Sequence, residues 1–92
     1  MNKSERLKRF LAVATLCANH IESYTVPQYG DYPNDQLTDM TQAEIKHDMQ
    51  RYLNRMGRSS RGKEDAKRDM LKLMHYASEM YLQISGEVPN ED

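Results

Sequence analysis

Ninety-two residues, 38% of them hydrophobic and 29% charged, with a formal net charge of −1, describe one small and polar domain. The near-zero charge excludes a general electrostatic affinity for nucleic acid or membrane, and no apolar run is long enough to span a bilayer. The lone Cys17 excludes an intrachain disulfide and a cysteine cluster for zinc, and it fits a reducing compartment.

A mean hydropathy of −0.92 makes disorder the first alternative. The apolar residues are strongly periodic, however, and a periodic minority can build a helical core. Seven Met supply much of it, and Met fills space without fixing it as sharply as branched side chains do. So thin a core in so short a chain leads us to expect a homo-oligomer.

The first periodic segment runs from Ser4 to Tyr24. Leu7, Phe10, Leu11, Ala14, Cys17, Ala18, Ile21 and Tyr24 recur at three- and four-residue steps, which form one stripe along a helix. Ser4 is its natural N-cap, and Val26-Pro27 is expected to end it, because a residue before proline avoids helical dihedrals. Lys3, Arg6, Lys8 and Arg9 followed by Phe10 to Ala18 imitate a signal peptide. Glu5 interrupts the basic stretch, and Leu16 stands where a lipoprotein cleavage site prefers a small residue. The expectation is a cytoplasmic chain.

Thr41-Gln42-Ala43-Glu44 is a capping box that opens the second helix, with Met40 and Ile45 as its hydrophobic staple. Ile45, Met49, Tyr52, Leu53 and Met56 form the expected buried face, and Gly57 the stop. The third helix is predicted over Lys63 to Ser85, with Ala66, Met70, Leu73, Met74, Ala77, Met80, Tyr81 and Ile84 as its stripe. Glu64 and Asp65 suit the positive end of its dipole, and Gly86 stops it. The fold class is thus all-α: a three-helix domain over residues 1–86, with a disordered acidic tail over 87–92. The short Gly57 to Gly62 connection makes helices two and three an antiparallel hairpin. The long Thr25 to Met40 connection reads as a tyrosine-rich loop, and loops of that length tend to be functional or disordered.

The hairpin reads Gly57-Arg58-Ser59-Ser60-Arg61-Gly62-Lys63, the opening of a phosphate-loop pattern. Glu64 replaces the required Ser or Thr, and a helix precedes it where a strand should. The underlying physics persists, because unpaired amides at a helix start attract anions. Residues 44 to 75 carry nine Lys and Arg against five Asp and Glu. Arg55, Arg58, Ser59, Ser60, Arg61 and Lys63 are therefore the candidate phosphate- or anion-binding residues, with Arg51 one turn before Arg55. The alternative is a solubilising loop whose arginines pair with neighbouring carboxylates.

Glu44 with Asp48, and Asp65 with Asp69, are carboxylate pairs at i, i+4. Such pairs on facing helices can hold metals, yet both spacings differ from the acidic pattern of MazG-type nucleotide pyrophosphohydrolases. Solvated salt bridges are the expected reading. His20, His47 and His75 form no ligand spacing, and Cys17 reads as a buried thiol. No catalytic residue, metal or cofactor is expected. Tyr29 and Tyr32 either stack on a base or partner or roof the thin core.

The runs Val26-Pro27-Gln28-Tyr29-Gly30-Asp31, Ile45-Lys46 to Tyr52 and Arg55, and Asp69-Met70-Leu71-Lys72-Leu73-Met74-His75-Tyr76-Ala77 resemble small bacteriophage accessory proteins. The resemblance covers just over half of the chain and carries no catalytic residues over. It implies a phage protein acting in the host cytoplasm that binds or inhibits a host macromolecule, one of a defence system included. Tyr29, Tyr32, Lys72, His75 and Tyr76 are then the candidate partner-binding residues. The first reading is a non-enzymatic protein that binds a host protein or a phosphate-bearing ligand such as a nucleotide, without a membrane. The alternatives are a MazG-like hydrolase and a structural helical oligomer.

Overall fold

Caps and breakers set the elements of the computed structural model, which describes residues 3–31, 36–56, 58 and 62–86. Among these the chain is all-helical, with no strand and no helix long and apolar enough to cross a membrane. The elements are α1 (Glu5–His20), a π-helical segment (Ile21–Thr25), α2 (Val26–Tyr29), α3 (Gln36–Asp39), α4 (Gln42–Arg55) and α5 (Lys63–Ser85).

The Ser4 hydroxyl accepts from Leu7 N–H at 3.2 Å, closing the start of α1. Thr41 forms the full capping box: its hydroxyl accepts from Glu44 N–H at 3.2 Å, and its own N–H donates to the Glu44 carboxylate at 3.0 Å. That second bond holds the Glu44 carboxyl below its usual pKa. α5 begins at Lys63 after Gly62 and stops at Gly86, whose φ of 68° is the left-handed conformation that terminates helices. Gly57 and the 87–92 tail lie outside the described residues, and α4 leaves helical geometry at Met56.

Pro27 does not end the first helix. Between Ile21 and Thr25 the helix widens, and Val26 N–H reaches back five residues to the Ile21 carbonyl. Pro27 then occupies the opening turn of α2, a place where its missing N–H leaves no intrahelical bond unmade. The helical path stops three residues later, at Gly30 with φ 96°. The expected loop from Thr25 to Met40 is accordingly helical over Val26–Tyr29 and again over Gln36–Asp39, and Tyr32 lies outside the described residues.

The buried apolar side chains among the described residues are Cys17, Leu37, Ile45 and Tyr52. The Cys17 thiol donates to the Leu71 carbonyl at 3.4 Å, so α1 lies against α5. Along the α4 side, Met40 meets Gln83, Tyr52 meets Tyr76 and Arg55 meets Asp69. The predicted stripes are only partly covered. Leu7, Phe10, Tyr24, Leu53, Met56, Tyr81 and Ile84 remain exposed, because the chain supplies too few helices to cover three apolar faces.

Candidate functional site

The π-helical segment arranges an aromatic wall. Its i to i+5 bonding brings residues five apart onto one side. The Tyr24 ring stacks on His20 at 5.0 Å between centroids and meets Tyr29 edge-on at 6.5 Å. An opposing wall comes from α4 and α5, where Tyr52 and Tyr76 stack at 5.5 Å and their hydroxyls lie 3.5 Å apart. Burial, then the Tyr52 hydrogen bond, raises the Tyr76 hydroxyl pKa well above the ordinary phenol value.

Between the walls is a cavity of about 290 Å³, closed further by Leu37 and Met40 from the α3 region. Lys72 Nζ lies 6.0 Å from the Tyr24 ring and 5.5 Å from the Tyr52 ring, so one ammonium spans both walls. The Arg51 guanidinium lies 5.1 Å from the Tyr52 ring and donates to Asp48 at 3.4 Å. His20 and His75 also line it, and among the described residues Asp48 is the one carboxylate there. His20 Nε2 is buried and finds no hydrogen-bond partner among the described residues. Burial first, then the positive Lys72, Arg68 and His75, lower its pKa below the usual histidine value.

This arrangement could hold an anion attached to a ring. Aromatic rings with cations beside them can attract both parts at once. A volume near 300 Å³ sits at the small end of ligand pockets, which suits a mononucleotide-sized molecule better than a polymer. Among the described residues, no three His, Cys, Asp or Glu side chains gather as a metal site.

The two groups of residues singled out in the sequence fare differently. Tyr29, Lys72, His75 and Tyr76 come together on the cavity. Of the hairpin set, Ser59, Ser60 and Arg61 lie outside the described residues, and Arg58 and Lys63 are exposed. Arg55 is turned inward instead. Its guanidinium donates to both Asp69 oxygens, at 2.7 and 2.9 Å, and Asp69 is 1% exposed. The expected anion contact from Arg55 and the solvated pairing of Asp69 are therefore both replaced by an internal ion pair. Sequence reasoning missed His20, Tyr24 and Tyr52 here, and placed Arg51 with the hairpin instead. The i, i+4 spacing of His20 and Tyr24, followed by Tyr29, was the available signal.

No family model, curated protein or solved structure matches the chain.

Proposed function

We propose that this chain is a non-enzymatic binding protein whose tyrosine-walled cavity takes a small phosphate-bearing ligand with an aromatic ring, of nucleotide type. The observation that carries the reading is Lys72, whose ammonium lies within 6.0 Å of a ring on each wall. A phosphate beside Lys72 and Arg51 would meet two cations, and a base would lie against the exposed Tyr24 and Tyr29 rings. The supporting scaffold reads as an antiparallel α4–α5 hairpin with α1 laid on α5, since Met40, Tyr52 and Arg55 meet Gln83, Tyr76 and Asp69 in reverse order. Such a function suits a phage-encoded accessory protein working in the host cytoplasm, the class that the sequence resembles.

Calorimetry with adenosine, inorganic phosphate and AMP tests it. AMP is expected to bind more tightly than either fragment, with an affinity that falls as salt rises. Lys72→Ala should weaken it about tenfold or more, as loss of a charge-assisted contact does. Equal binding of AMP by parent and Lys72→Ala, or no binding of any of the three by folded protein, would reject the reading.

A further inference from the structure

α5 carries a heptad seam that the chain itself covers only in part. Ala66, Met70, Leu73, Ala77, Met80 and Ile84 follow steps of four, three, four, three and four residues, the spacing that keeps one line of side chains toward a partner helix. None of the six is buried; Ala77 and Ile84 are exposed, and Tyr81 beside them is 71% exposed.

The polar contacts of α5 with the rest of the chain lie on other faces. Asp69, Tyr76 and Gln83, seven residues apart, meet Arg55, Tyr52 and Met40 on the α4 side. The Leu71 carbonyl receives the Cys17 thiol of α1. The apolar seam is a third face, and none of its six residues lines the cavity.

The molecule also has surface to spare. Its accessible area is 7480 Å², whereas a compact monomer of 10.8 kDa exposes about 5,500 Å². Its radius of gyration is 14.6 Å, against about 12 Å for a compact chain of this length. The excess area is larger than the roughly 800 Å² that each partner gives up in a standard interface.

We propose that the chain is a homodimer joined along this seam, α5 of one copy against α5 of a second. A two-fold axis places the same stripe on both sides, and a heptad of small and large apolar residues can interlock with a copy of itself. The net charge of −1 opposes the approach of two copies only weakly.

Sedimentation velocity on the full chain tests the interface. The parent should sediment as twice the 10.8 kDa monomer at micromolar concentration. Ala77→Glu and Ile84→Glu should each sediment as monomers with unchanged helical circular dichroism, because both positions are exposed in the single chain and a carboxylate in a dry seam goes unpaired. Their dimer dissociation constants should rise at least about 100-fold. Should Ala77→Glu lose helicity, Ile84→Glu, one residue from the end of α5, decides. Leu16→Glu on the exposed side of α1 should leave the dimer intact. A monomeric parent at submillimolar concentration, a dimer that survives both α5 substitutions, or dissociation by Leu16→Glu would overturn the proposal.

Discussion

Arg55 and Asp69 form a two-pronged ion pair across α4 and α5, with donor–acceptor distances of 2.7 and 2.9 Å. The Arg55 guanidinium also lies 4.7 Å from the Tyr52 ring, so the pair props one wall of the cavity. Asp69 holds the Arg55 pKa above its ordinary value, chiefly through the hydrogen bonds. Removing the cation leaves a carboxylate that is 1% exposed without its guanidinium. Arg55→Ala should lose about 3 kcal/mol, the usual consequence of breaking a buried pair from one side. An unchanged urea midpoint would show that Asp69 does not depend on Arg55.

The Thr41 cap gives a smaller effect of a different kind. Thr41→Ala deletes the acceptor for Glu44 N–H and should destabilise by roughly 0.5–2 kcal/mol. Thr41→Ser keeps the oxygen and should retain most of that stability. Equal midpoints for the Ala variant and the parent would mean that the cap contributes nothing.

On the proposed function, His20 would make AMP binding depend on pH. Its pKa is lowered in the free protein, first by burial and then by Lys72, Arg68 and His75. An anion in the cavity offsets that repulsion and raises the pKa again, so binding takes up a proton. AMP affinity should therefore rise as pH falls from about 7.5 to 5.5, and His20→Gln should flatten the profile. The stability of the free protein runs the other way. A base with a lowered folded-state pKa binds fewer protons than the unfolded chain, so stability should decline as pH falls below about 6.5. Calorimetric proton uptake and urea midpoints across that range check the two signs separately.

Cys17 should behave as a protected thiol. Burial raises its pKa, and its Sγ–H is engaged by Leu71, so little thiolate forms at neutral pH. Labelling by a maleimide should be at least about 100-fold slower in the native protein than in urea. Equal rates would place the thiol at the surface.

How much of this was legible in the sequence depends on how far apart the deciding residues lie. Ser4, the Thr41–Glu44 box, Lys63 and Gly86 act within four residues of themselves, and each stands where its spacing placed it. Val26-Pro27 misled because the rule is a preference: Val26 takes helical dihedrals before the proline, φ −62° and ψ −48°, and the helix widens just upstream. The apolar stripes gave the all-helical class and the three long helices, but not the short helices over Val26–Tyr29 and Gln36–Asp39, nor how far each stripe is covered. A pattern records which residues are apolar, not whether the same chain supplies a partner. The cavity was half legible: Tyr29, Lys72, His75 and Tyr76 were singled out, but as separate features of a loop and a helix. Tyr52 looked like ordinary core, and Arg51 looked like part of the hairpin, because neither spacing nor charge reveals which distant segments converge.

The widened turn between Ile21 and Thr25 holds one residue more than an ordinary α-helical turn. An ordinary helix that loses one residue turns everything after it by about 100° around its axis. Here a deletion can be absorbed by restoring i to i+4 bonding, with Tyr29 kept on its side of the helix. Pro27 would then meet an ordinary α turn, where its ring crowds the carbonyl four residues back. Sequences that lack one position between His20 and Tyr24 would thus keep the aromatic wall and lose the turn that accommodates the proline.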